Sequence, residues 1–163
     1  MSKTKNFIFK GKQSFSSSKL EQISREFKQA NNLDAEIESN EIYLILTNGN
    51  EINEEGIKDV LSATEQDETF TFYVGPRLGT ISPWSSKTED IISNVGLKNI
   101  LRVEKLFGFK INRNINEENI DLSMFFDRMT QSIYIEEKDF RNLFIADPPR
   151  LLNHIDVIKN GKK

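Results

Sequence analysis

The residues best suited to chemistry in this chain lie together between Gly75 and Lys87, in the run GPRLGTISPWSSK. It holds two glycines, two prolines, four hydroxyl residues, Arg77, Lys87 and the chain's sole tryptophan, Trp84. Placed between a strand and a helix, this composition supports three kinds of chemistry. Gly and Ser backbone N–H groups and a helix N-terminus can cradle a phosphate, with Arg77 or Lys87 as counter-charge. The spacing is not that of a Walker loop, because the glycines stand at the wrong offset from Lys87 and Thr88. The preceding FTFYVG has the aromatic density of an RNA-reading strand, but the basic and glycine flanks of that motif are absent. The third reading is a contact between domains or subunits, with Trp84 as aromatic anchor and Arg77 as planar donor at its rim. Its plain alternative is that Trp84 folds back onto its own core. A connector needs only about two to six residues, so a run this long and rich is one that docks on something.

Composition narrows the choice. The chain has 163 residues, no cysteine, one histidine and a formal charge of -3. No cysteine means no disulfide, thiolate metal site or cysteine nucleophile, and the lone His154 cannot supply a His-rich metal site. No catalytic residue and no metal ligand is assigned; the chain alone is expected to be non-catalytic. A sequence pI near 5.4, with both signs of charge interspersed, opposes binding by phosphate neutralisation, so no nucleic-acid partner is expected. No apolar run reaches the roughly 18 to 20 residues that span a bilayer, and the start MSKTKNFIFKGK lacks a signal-peptide core. A cytoplasmic protein with no membrane partner is the expectation.

The positioning elements follow from periodicity. Phe7 to Phe9 form a short strand; Leu20, Ile23, Phe27 and Ala30 mark a helix from Ser18 to Ala30, with Ser18 and Glu21 as a capping box. Ala35 to Leu46 alternate as a long strand buried on much of both faces. Asn53 caps a helix over 54–63, whose Glu54 and Glu55 sit at the positive end of its dipole, not as a catalytic pair. Phe70 to Val74 make the next strand, and Ser86 with Glu89 opens a helix that Gly96 closes. Ile100 to Ile111 form a strand with Leu101, Val103, Phe107, Phe109 and Ile111 on one parity and Lys105 as the exception. A helix is predicted from Glu117 through Ile120, Met124, Phe125 and Arg128, then a closing strand at 133–135. The class is α+β, with helices packed on a largely antiparallel sheet. Residues 1–135 form the domain; 136–163 hold a short helix over 140–144, a Pro148-Pro149 linker and the beginning of a connection. His154 belongs to that linker, and the tail Ile155–Ile158 suggests a chain that continues.

The run from Gly75 to Lys87, continued by Thr88-Glu89-Asp90-Ile91, closely resembles the PRxGTxSPWSSKATDI signature near the N-terminus of the large, single-chain phosphoribosylformylglycinamidine synthase family. The likeness extends to Asn94-Val95-Gly96-Leu97, Arg102-Val103-Glu104, Asp127-Arg128-Met129-Thr130 and Asp156-Val157, with Gln131 where the family usually has Glu. Thr88-Glu89 replaces the common Ala-Thr, a conservative change at a helix start. The resemblance implies a part in purine biosynthesis, in the ATP- and glutamine-dependent amidation of formylglycinamide ribonucleotide. It implies a fold like a fused dimer of the small bridging subunit of the multi-subunit enzyme. That family is a glutamine-hydrolysing carbon–nitrogen ligase whose ATP, Mg and Cys-His-Glu glutaminase triad belong to domains beyond the region matching Lys163. The implied partners are the synthetase and glutaminase domains of the same enzyme, held for ammonia transfer. The expected contact residues are Arg77, Thr80, Ser82, Trp84, Ser85, Ser86 and Lys87, with Asp127, Arg128, Met129 and Thr130 as a second patch. Asp127 has an equal alternative as a cap or a partner of Arg128. The rival is an independent phosphate- or nucleotide-binding protein built on Gly75–Lys87.

Overall fold

The computed structural model describes residues 4–113, 115 and 119–145. In chain order they form β1 (Lys5–Gln13), α1 (Ser17–Asn31), β2 (Ile37–Thr47), α2 (Glu54–Leu61), β3 (Thr64–Glu65), β4 (Phe72–Pro76), α3 (Pro83–Asn94), β5 (Ile100–Ile111), a 3-10 turn (Ser123–Phe125), β6 (Gln131–Tyr134) and α4 (Glu137–Phe140). The strands make one six-stranded sheet in the order β3-β1-β2-β5-β4-β6, each neighbouring pair antiparallel. The α+β class expected from the sequence is the class observed.

Side chains alternate between the two faces of each strand, so the register assigns the core. Ile45 lies opposite Val103 and Tyr43 opposite Lys105 on the central pair. On this face α1 covers one end, packing Leu20, Ile23 and Phe27 against Ile37, Phe72, Phe109 and Ile111. At the other end Ile57 of α2 and Ile92 of α3 pack on Phe9, Ile45 and Val103. Between these two covered ends the same face carries Glu41, Tyr43, Lys105 and Phe107. The reverse face gathers Ile42, Leu44, Phe70, Tyr73, Leu106 and Tyr134 beneath Phe140 and Leu143, which are fully buried. Gly75 is required here, because a Cβ on it would stand 2.7 Å from Leu106 Cδ2.

Several boundaries differ from the sequence reading, each for a local reason. Ser16, not Ser18, caps α1, its hydroxyl oxygen accepting the Lys19 N–H at 3.3 Å. Phe15, its ring tilted against Phe107 with centroids 5.1 Å apart, packs on the sheet where the chain enters the helix. Ala30 is exposed, since the buried stripe ends at Phe27. The predicted helix through 117–128 is replaced, among the described residues, by a 3-10 turn after which Phe126 is extended. Asp121 and Asp127 divert the backbone, their carboxylates accepting the Ser123 and Met129 N–H groups, each at 2.8 Å. The closing strand begins earlier than predicted, at Gln131. Leu101, on the apolar parity of its strand, is exposed at the start of β5. As expected, Asn53 caps α2 with Glu54 and Glu55 in its first turn. The Pro148-Pro149 linker, His154 and the tail at 155–158 lie outside the described residues.

Candidate functional site

The signature run is shorter as a loop than its composition suggests. Gly75 and Pro76 finish β4, and α3 starts at Pro83, leaving 77–82 as the connection. Proline suits the first helical position because its missing N–H would have no partner there, and Ser82 is a sound cap: its hydroxyl oxygen accepts the Ser85 N–H at 3.1 Å. The helix therefore begins before the predicted Ser86–Glu89 box.

The inward residues of this helix start complete the sheet. β4 pairs with β5 only from Phe72 to Val74, opposite Phe109 to Phe107, so the edge of β5 toward Ile100 has no strand beside it. Side chains replace that strand. The Ser85 hydroxyl lies 2.5 Å from the Val103 carbonyl, and the Glu89 carboxylate accepts the Val103 N–H at 3.4 Å. Glu104, 0% exposed, accepts the Ser82 hydroxyl at 2.5 Å, the Ser82 N–H at 3.3 Å and the Lys105 N–H at 3.2 Å. Arg102 adds an ion pair to Glu104 at 3.6 Å and donates to the Thr80 carbonyl at 2.7 Å, with its guanidinium over the Phe144 ring. The loop is thereby tied to the strand below and to the segment after α4.

The outward residues line a cleft of about 510 Å³ between the start of α3 and the turn preceding β6. Of the expected contact residues, Arg77, Thr80, Ser82, Trp84, Met129 and Thr130 line it. Ser85 is buried against β5, while Ser86 and Lys87 are exposed outside the lining. Asp127 takes the capping role: its carboxylate accepts the Met129 N–H at 2.8 Å and the Thr130 hydroxyl at 3.0 Å. That turn holds Met129, 81% exposed, at the mouth. Arg128 meets Arg77 through its carbonyl, which accepts from the Arg77 guanidinium.

The cleft floor comes from residues distant in sequence. Trp84 stacks on Tyr43 with centroids 5.7 Å apart and planes 14° from parallel, and the Lys105 ammonium sits 5.2 Å from the Trp84 ring centroid. The Tyr43 hydroxyl donates to Glu41 at 2.5 Å, and Lys105 pairs with the same carboxylate at 3.4 Å. Burial, then the Glu41 carboxylate, hold the Tyr43 phenol well above its ordinary pKa, so it remains a donor. Sequence reasoning missed Glu41, Tyr43, Phe107 and Gln131. One signal existed: Lys105 broke the apolar parity of its strand, and it breaks it where the sheet face is open.

Among the described residues no helix is long and apolar enough to cross a membrane, and no group of three or more acidic or histidine side chains is placed to hold a metal ion. The formylglycinamide ribonucleotide amidotransferase N-terminal family matches residues 27–144. That stretch includes β2, the signature run, β5 and every residue of the cleft. With well over half its length matched, the chain belongs to the formylglycinamide ribonucleotide amidotransferase N-terminal family, part of an enzyme of purine biosynthesis.

Proposed function

We propose that this chain is a non-catalytic assembly domain of the amidotransferase, positioning synthetase and glutaminase domains so that ammonia passes between them without escaping to solvent. Such a transfer needs a closed, preorganised passage more than it needs acid–base groups in every wall. ATP and Mg act, on this reading, in the synthetase domain. The observation that carries it is the split within the signature. Ser82, Ser85 and Glu89 are consumed in completing β5, whereas Ile81 and Met129, 62% and 81% exposed, stand apolar at the mouth of a cleft floored by Trp84 and Phe107. Exposed apolar groups clustered at a concave site fit a docking surface. An independent phosphate- or nucleotide-binding role is less well supported, since the Glu104 carboxylate already meets Ser82 at the positive end of α3 and Lys87 lies outside the cleft lining.

The test is the full-length amidotransferase carrying Ile81→Asp with Met129→Asp. Glutamine-supported amidation should fall about tenfold, a loss of the size expected when an apolar contact is broken at a docking surface, while free ammonia still supports turnover. Equal use of both nitrogen sources, at the parent rates, would overturn the reading.

A further inference from the structure

The cleft is cationic in a chain whose formal net charge is -3. Its charged lining residues are Arg77 and Lys105, and no carboxylate lines it. The two cations are not equivalent. Lys105 has its counter-ion, Glu41, 3.4 Å away beneath the floor. Arg77 is exposed and gives its guanidinium to a neutral acceptor, the Arg128 carbonyl; no acidic partner stands at ion-pair distance from it among the described residues. A guanidinium used in this way retains further N–H donors in a planar fork suited to a carboxylate. Beside it, Trp84 and Phe107 form an apolar floor and Ile81 and Met129 an apolar rim. The hydroxyls that a phosphate would want are engaged: Thr80 donates to the Arg77 carbonyl at 2.7 Å and Ser82 to Glu104 at 2.5 Å.

Resting on the docking reading above, we propose that the occupant of this cleft is a peptide segment from the other domains of the amidotransferase that carries an apolar side chain beside a carboxylate. The apolar side chain lies on Trp84 and Phe107 under Met129, and the carboxylate is held by Arg77. Charge complementarity selects the acid, since a neutral or basic segment would leave Arg77 without a counter-ion at a buried contact.

A photo-crosslinking residue in place of the exposed Met129, in the full-length enzyme, identifies the segment. The expected product joins position 129 to one peptide of another domain in which an acidic residue neighbours an apolar one. Arg77→Glu should then lower glutamine-supported turnover about tenfold with ammonia-supported turnover retained, and reversing the crosslinked acid to Lys should restore most of the loss. A crosslinked segment with no acid, an Arg77→Glu enzyme as active as the parent, or failure of the reversed pair to rescue would overturn the proposal. So would loss of the crosslink on adding inorganic phosphate alone, which would make the occupant an anion. Impairment by Ile81→Asp with Met129→Asp in any of these cases leaves the docking reading standing; silence of that double variant as well removes both.

Discussion

The inner and outer residues of one sequence motif have opposite fates in this molecule. Ser85 and Glu89 turn inward and meet the β5 backbone where β4 leaves it, while Ser82, which also lines the cleft, is bound to the buried Glu104 carboxylate. Arg77 and Ile81, interleaved with them, turn toward an open cleft, and Trp84 lines it while packing back on Tyr43 and the core. A polar residue in a signature is therefore no sure sign of a reacting group: here Ser85 and Glu89 are structural, while Arg77 and Ile81 face outward. The division has a physical origin. An exposed strand edge must find partners for its N–H and C=O groups, and short polar side chains on a helix start can reach them.

Removing the hub of the inner set should give the largest effect. Glu104→Ala leaves Ser82, the Lys105 N–H and Arg102 without their buried acceptor, and should cost about 3 kcal/mol in urea unfolding. A loss below about 1 kcal/mol would mean that β5 does not depend on the inner set.

Alkali tests burial on both faces of the sheet, since Tyr43 beneath the cleft is shifted upward as Tyr73 and Tyr134 are on the reverse face. Burial pushes Tyr73 and Tyr134 up to about 12, with Glu137 adding to the shift of Tyr73. An unfolded tyrosine ionises near pH 10, so the unfolded chain releases protons that the folded chain keeps. The stability these residues contribute is complete below about pH 10 and disappears as pH rises toward 12, falling by about 1.4 kcal/mol per pH unit for each tyrosine. Urea midpoints should drop steeply over that window, with tyrosinate absorbance rising only as the chain unfolds. Tyrosinate appearing at its ordinary pH in the folded chain would contradict the burial assigned to the reverse face.

Gly75→Ala forces a methyl group against Leu106 in the sheet below the cleft, and a loss of about 2 kcal/mol is expected from thermal unfolding. The outer set should do least to the isolated chain. Ile81→Ser or Met129→Ala, both at exposed positions, should shift stability by no more than about 0.5 kcal/mol. A larger shift would show that the rim is part of the fold and blur the distinction between the two sets.

Local periodicity revealed most elements, because the apolar spacing of α1, α2 and β5 is set by the faces they bury. It misled at 117–128, where Ile120, Met124 and Phe125 imitate a helical stripe while Asp121 and Asp127 hold the backbone in turns. It also placed the start of α3 at Ser86, although Ser82-Pro83 carries a cap followed by a first-turn proline. The cleft was half legible. One wall and part of the floor lie within the signature, so Arg77, Thr80 and Trp84 stood out by composition. Its floor requires Tyr43 to meet Lys105 across the β2–β5 register, a pairing no local pattern encodes. The separation of Ser85 from Ser86 was likewise invisible, since one residue of helical rotation turns the first onto β5 and the second to solvent.

On the docking reading the outer set is covered by the rest of the enzyme while the inner set serves the fold. Amide hydrogen exchange, compared between this chain by itself and the chain within the assembled amidotransferase, tests it most directly. New protection is expected at 78–81 and 128–130 on assembly, with 103–105 protected equally in both. Unchanged exchange at 78–81 and 128–130 on assembly would contradict it.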